Sequence, residues 1–209
     1  MDLVNYDLNL LKDYDYIIGI DEVGRGNLAG PLVVCGCIMT YTDIIDKVND
    51  SKKLSEKKRN ELEPIIKEKT FKYKILEVSN DIVDSINIYQ ATKQAMLEVA
   101  QYLSNDLDNV LILTDAMKLD LDNNIDIVKG DQTSYAIACA SIIAKVYRDN
   151  LMIELDKIYP LYDFKNNKGY GTKKHLQAIK EHGYIDTIHR KTYEPIKSMI
   201  LNKEKPSIK

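Results

Sequence analysis

An apolar run that ends in two adjacent carboxylates and then a Gly-Arg-Gly triplet constrains this chain more than any other stretch. Tyr16-Ile17-Ile18 leads into Gly19-Ile20-Asp21-Glu22-Val23-Gly24-Arg25-Gly26-Asn27-Leu28. The apolar part reads as a buried strand over Ile17–Ile20. Successive side chains of a strand point to opposite faces, so Asp21 and Glu22 share a site only where the strand breaks. Gly24 and Gly26 supply the break and let backbone N–H groups come close to a ligand. Arg25 between them carries a planar fork that matches phosphate. Metal-seeking carboxylates, bare backbone and a phosphate-seeking cation therefore sit within six residues, a combination that points to phosphodiester chemistry. Solvated acidic turn is the plainer reading of the same residues, and the rest of the chain decides between the two.

At 209 residues the chain is long enough for one domain with a sizeable core. Its 44% hydrophobic and 29% charged content is that of a globular protein. No apolar stretch reaches the roughly 18 residues that span a membrane, and the first residues lack the basic and apolar regions of a secretory signal. Cys35, Cys37 and Cys139 lie in apolar surroundings and read as reduced core residues of a cytoplasmic protein. No fourth ligand at zinc spacing accompanies them.

The net charge of −3 hides an uneven distribution. Residues 1–50 carry nine acids against three bases, and Leu103–Asp126 carries six aspartates against Lys118. Ser51–Arg59 carries five bases and one acid, and Phe164–Tyr193 seven bases and two acids. Acidic segments beside basic ones fit a metal site with a phosphate-binding rim, although any single lysine-rich run is equally a solvated helix face.

Along the chain, Leu32–Met39 reads as a second strand and Ser55 as the cap of a helix running to about Lys69. Phe71–Val78 alternates as a strand, and Asp81–Leu103 has helical periodicity, with Ile82, Ile86, Ile88, Met96, Val99 and Leu103 broadly on one side. Val110–Thr114 is a short continuous apolar run, as in a strand buried on both faces, with Asp115 at its end. Ile125–Val128 is a fifth strand, followed by Lys129-Gly130-Asp131. Ser134–Tyr159 is a long alanine-rich helix. A loop over 166–172 precedes a helix from Lys173 to about His182, and an irregular basic tail follows. The pattern predicts an α/β fold with a mixed five-stranded sheet flanked by helices and a helical C-terminal extension. A single domain over 1–209 is expected, with a core at about 16–160 and the extension at about 161–209.

Asp21, Glu22, Asp115 and Asp131 all stand at or just beyond strand ends, where ligand sites of open α/β sheets lie. Converging carboxylates repel unless cations neutralise them. Hard divalent ions do this, and two of them about 3.5–4 Å apart activate a water and stabilise a leaving oxygen.

These residues closely resemble the bacterial ribonuclease HII family. The resemblance lies in Gly19–Gly26 with Leu28-Ala29-Gly30-Pro31, Asp50-Ser51-Lys52-Lys53-Leu54, Asn87-Ile88 with Ala95-Met96, and Lys129-Gly130-Asp131. It continues through Ala140–Val146 with Arg148-Asp149, Gly169-Tyr170-Gly171-Thr172-Lys173 and His189-Arg190-Lys191, covering about 16–195 in order. It implies a ribonuclease H-like fold and Mg²⁺- or Mn²⁺-dependent hydrolysis of the RNA strand of RNA–DNA hybrids. It also implies nicking of duplex DNA on the 5′ side of a lone ribonucleotide, leaving 3′-hydroxyl and 5′-phosphate ends. By the same resemblance, Asp21, Glu22, Asp115 and Asp131 bind metal and catalyse. Gly24, Arg25 and Gly26 read the ribose 2′-hydroxyl, and Tyr170 packs on the sugar of the following deoxynucleotide. A 2′-hydroxyl is the group that separates RNA from DNA.

Lys52, Lys53, Lys145, Lys173 and Lys174 are the expected phosphate contacts, and the expected partners are hybrid and ribonucleotide-containing duplexes, bound by a monomer. The chain departs from the family pattern at Asn27 (commonly proline), at Ala116 (commonly glycine after the aspartate) and at Lys191-Thr192-Tyr193. His175, His182 and His189 recur every seven residues and read as surface or phosphate-side residues rather than a metal triad. Two other readings stand beside the main one. A ribonuclease HIII-like enzyme would carry an extra N-terminal domain and lack Arg25. A non-catalytic hybrid-binding protein would have lost at least one carboxylate.

Overall fold

The computed structural model describes residues 2–49 and 51–202. Asp50, which opens the lysine-bearing loop of the sequence motif, lies outside the described residues, as does the end of the basic tail. The elements in chain order are α1 (Leu3–Leu10), β1 (Tyr16–Val23), β2 (Leu32–Met39), α2 (Glu56–Lys69), β3 (Thr70–Val78), α3 (Asn80–Ile86) and α4 (Ile88–Ser104). β4 (Val110–Asp115), β5 (Asn124–Ile127), α5 (Tyr135–Ile158), α6 (Phe164–Asn167), α7 (Lys173–His182) and α8 (Ile196–Leu201) follow.

Local chemistry sets most of these bounds. Ser55 Oγ accepts from the Lys58 N–H at 3.2 Å and starts α2, as the sequence predicts. Thr172 Oγ1 does the same for α7 through the His175 N–H at 3.3 Å. The single helix expected over Asp81–Leu103 is instead two. Asn87 takes φ +65°, ending α3, and its Oδ1 accepts from the Gln90 N–H at 3.1 Å to cap α4. The apparent periodicity ran through that break, so Ile82 is exposed while Val83 is buried. Helices α1, α6 and α8 were not expected, and α6 takes in the start of the loop predicted over 166–172.

By contacts the described residues form two compact units, 2–23, 33–49, 51–76 and 92–146 in the first, and 24–32, 77–91 and 147–202 in the second. The first is built on a mixed sheet of order β3-β2-β1-β4-β5, with β1 antiparallel to β2 and β4 parallel to both β1 and β5. β1 is central, and Ile17, Ile18 and Ile20 are buried completely. A Cβ at Gly19 would collide with the Ala136 backbone, so glycine lets α5 press directly on one face of β1. On the other face, Gly36 lies under Val99 and Leu103 of α4. Helix α1 is anchored by Asp7, whose Oδ2 accepts from Tyr41 Oη at 2.7 Å and from the Ala136 N–H at 2.9 Å. A carboxylate at the start of α5 complements the exposed N–H groups there. Cys35, Cys37 and Cys139 are free and buried, in keeping with the core role expected for them.

The second unit has its own core, including Leu28, Ala29, Met152, Tyr162, Phe164 and Ile179. Two fully buried arginines, Arg148 and Arg190, stand among these apolar residues.

Candidate active site

Strand register assembles the acids of the first unit. The parallel pairing of β1 with β4 ends at Ile20 opposite Thr114, so Asp21 and Asp115 are the next residues on neighbouring strands. The antiparallel pairing of β1 with β2 continues to Val23. The opening at Asp21 and Glu22 is therefore on the β4 side alone. The strand itself breaks only at Gly24, after both carboxylates, because β2 keeps hydrogen-bonding them. Beyond β5 the chain turns through Lys129 at φ +59°, and the Gly130 N–H donates to Asp115 Oδ1 at 2.7 Å. Asp131 follows, almost completely buried. Ala116, where glycine is usual in the family pattern, takes φ +49°, a left-handed conformation that glycine adopts without strain.

The electrostatics of the group are adverse. Asp21 is buried, and burial first, then the charges of Glu22 and Asp115, push its carboxyl well above the usual carboxylate range. Hydrogen bonds from Ser141 and from the Glu22 N–H, the latter at 2.7 Å, offset part of this. Ser141 Oγ also meets Ser51 Oγ at 2.9 Å in the interior. Charges of one sign at such a place are stabilised by a cation, and an all-oxygen carboxylate set matches a hard divalent ion. As the side chains stand, no group of three or more His, Cys, Asp or Glu among the described residues is gathered tightly enough to hold an ion. The donor chemistry, oxygen atoms only, fits a hard divalent ion.

In the second unit, buried guanidinium groups shape the Gly24-Arg25-Gly26 loop. Arg148 donates from Nε to Pro31 O at 2.9 Å, from one terminal nitrogen to Lys168 O at 2.7 Å and from the other to Ala29 O at 2.9 Å. Arg190 and the Tyr193 hydroxyl each donate to the carbonyl of Arg25 at 2.8 Å. Gly24 has φ +99° and lies against the Arg148 side chain, so a larger residue would both strain the backbone and collide. Nothing lies within 4 Å of where a Gly26 Cβ would be, which leaves its backbone open to a ligand. The turn that carries Tyr170 is joined to this loop: Asn27 Nδ2 donates to Lys168 O at 2.8 Å, and the Leu28 N–H to Gly169 O at 2.8 Å. Tyr170 itself is 48% exposed.

A family model described as Ribonuclease HII matches residues 18–195. The chain belongs to the ribonuclease HII family. A Ribonuclease HII of Bacillus cytotoxicus is 49% identical over 205 residues, which is 97% of this chain and 78% of that protein. Among solved structures, the ribonuclease H2 of Pyrococcus horikoshii OT3 has a TM-score of 0.73 at 24% identity, covering 91% of this chain and 100% of that one. Bst-RNase HIII, solved in complex with Mn²⁺, has a TM-score of 0.66 at 16% identity, covering 90% of this chain and 70% of that one. These two likenesses concern the fold, a ribonuclease H-like mixed sheet flanked by helices.

Other residues that the sequence marked fall into place less evenly. Lys52, Lys53, Lys173 and Lys174 are exposed and Lys145 is half-buried. Lys174 Nζ lies 3.0 Å from Asp163 Oδ2. His175 and His189 are completely buried, which corrects their reading as surface residues. Sequence reasoning also missed Arg148, Arg190, Ser51 and Ser141 as individual supports of the site. All four lie inside ribonuclease HII motifs, and a charged or hydroxyl residue amid a buried helical run is the signal that would have found Arg148 and Ser141.

Proposed function

We propose that this chain, an endoribonuclease of the ribonuclease HII family that acts on RNA–DNA hybrids, also nicks duplex DNA on the 5′ side of a lone ribonucleotide. The products are 3′-hydroxyl and 5′-phosphate ends. The observation that carries the reading is the meeting of Asp21 with Asp115 where the β1–β4 pairing ends, beside Glu22 and with Asp131 following Gly130. Asp21, Glu22, Asp115 and Asp131 would hold Mg²⁺ or Mn²⁺, which supplies Lewis acidity to the scissile phosphate and lowers the pKa of a water.

The protein's own groups do the rest. Ser141 donates to Asp21 and orients it. The Gly130 N–H fixes the Asp115 carboxylate and leaves its other oxygen for the ion. Gly24, Arg25 and Gly26 present backbone to the 2′-hydroxyl of the ribonucleotide. Tyr170 packs its ring on the deoxyribose that follows the ribonucleotide, where an added hydroxyl would crowd it. Lys52, Lys53, Lys145, Lys173 and Lys174 hold phosphates along the duplex. We read the chain as a cytoplasmic monomer; its three buried free thiols support a reducing compartment.

The test maps cleavage of a duplex with one embedded ribonucleotide in Mg²⁺ and in Mn²⁺, for the wild type and Tyr170→Ala. A single nick 5′ of the ribonucleotide, weakened in the variant more than cleavage of a continuous hybrid, is the expected result. Uncut duplex beside a cut hybrid would restrict the enzyme to hybrids.

A further inference from the structure

His175 and His189 meet inside the second unit with Nε2 to Nε2 at 3.1 Å. Both are fully buried, with the Phe164 ring centroid 5.3 Å from that of His175 and the Tyr162 centroid 5.4 Å from that of His189. The outer ring nitrogens settle where the protons lie. The Ile185 N–H reaches His189 Nδ1 at 2.9 Å. A backbone N–H only donates, so this Nδ1 accepts, and the proton of the neutral ring is on Nε2. At the other end, His175 Nδ1 stands 2.8 Å from the Tyr170 carbonyl oxygen. A carbonyl only accepts, so His175 carries its proton on Nδ1 and offers a bare Nε2 to its neighbour. Three hydrogen bonds therefore run in one direction, from Ile185 through both rings to Tyr170. A second proton on either ring would break the series. Burial keeps both rings neutral, holding His175 below its ordinary value and His189 at about 3, with His175 beside it as the second cause.

One end of this series lies on Tyr170, and the backbone of His189 adjoins the chain that follows the Gly24-Arg25-Gly26 loop. His189 forms a β-bridge with Ala29, and the Arg190 N–H donates to Leu28 O at 2.9 Å, so this segment is tied to the chain that follows Gly26. His175 ends on the backbone of Tyr170. We propose that His175 and His189 are positioning residues for sugar discrimination, holding the Tyr170 backbone in register with the Gly24-Arg25-Gly26 loop. Neither ring is a metal ligand or a general acid–base, since every nitrogen is already committed. The inference rests on the reading of Tyr170 given above.

The experiment compares kcat/KM on a duplex with one ribonucleotide and on a continuous RNA–DNA hybrid, expressed as a ratio. Asn at position 175 puts an amide N–H where Nδ1–H stands, whereas Gln puts its amide near Nε2. His175→Gln is expected to lower the ratio about tenfold or more, since a misplacement of about 1 Å caused from a distance costs up to about 100-fold, in the same direction as Tyr170→Ala. His175→Asn is expected to keep it. An unchanged ratio in folded His175→Gln, beside a lowered one in Tyr170→Ala, overturns the positioning role alone. An unchanged ratio in Tyr170→Ala overturns the reading of Tyr170, and the role of the histidines with it. A measurement on the unaltered protein guards against variants that fail to fold. Long-range ¹H–¹⁵N spectra at neutral pH are expected to give the Nδ1–H tautomer for His175 and the Nε2–H tautomer for His189. Any other pair of tautomers, or a cationic ring, overturns the proposal.

Discussion

The Gly130 N–H donates to Asp115 Oδ1 at 2.7 Å, so the end of β4 and the turn after β5 are joined through a carboxylate that is itself a candidate metal ligand. Asp115→Asn retains an acceptor for Gly130 and removes the charge, whereas Asp115→Ala removes both. We expect each variant to be inactive, and the alanine variant to be less stable than the asparagine one by about 1 kcal/mol, the net value of a hydrogen bond. Urea unfolding of the pair measures this, and equal stabilities would mean that the turn does not depend on the bond.

Asp21→Asn and Asp131→Asn should each lower kcat by more than about 100-fold, beyond what changes outside the metal ligands cost. Near wild-type turnover at saturating Mg²⁺ would remove the residue concerned from the ligand set. Asp21→Asn should also raise the melting temperature of the metal-free protein at neutral pH, because burial first, and then the charges of Glu22 and Asp115, penalise an ionised Asp21 in the folded state.

Burial raises the Asp7 carboxyl to about 6, against hydrogen bonds that lower it. A carboxyl with a raised folded pKa is most stabilising below its unfolded value near 4, and that contribution is lost as the pH rises through about 6. Wild type should therefore lose stability relative to Asp7→Asn between pH 4 and pH 7, by at most about 3 kcal/mol. A stability difference that stays constant over this range would place the Asp7 pKa near its ordinary value.

Arg148→Met keeps the apolar volume of the stem but removes the guanidinium donor to the carbonyls of Ala29 and Pro31, and leaves Lys168 O with Asn27 Nδ2 alone. Each buried group left unsatisfied costs about 1–3 kcal/mol, so with two such carbonyls a loss above about 2 kcal/mol is expected in urea unfolding. A loss below 1 kcal/mol would mean that water replaces the guanidinium.

Phosphate binding by the lysines is read through salt. The log of affinity for a hybrid should fall with the log of salt, each phosphate-contacting lysine contributing about 0.9 to the slope. Lys173→Ala with Lys174→Ala should flatten it by between about 0.9 and 1.8, the smaller figure if Lys174 stays with Asp163. An unchanged slope would take this helix start off the binding surface.

The sequence by itself determined the elements whose signals are local: the capped start of α2, the start of α7 and the buried strands β1, β2 and β4, although it ended β1 before Asp21 and Glu22, which the strand includes. It also carried the family, because ribonuclease HII motifs lie in short contiguous runs such as Gly19–Gly26. The tertiary structure alone decided which acids meet. That depends on a β1–β4 register set by residues 94 positions apart, Ile20 and Thr114, and no local periodicity encodes it. It also decided the fate of the charged and titratable residues. Arg148, Arg190, His175 and His189 are polar by type, and only the carbonyls and ring nitrogens brought to them by distant segments make their burial possible.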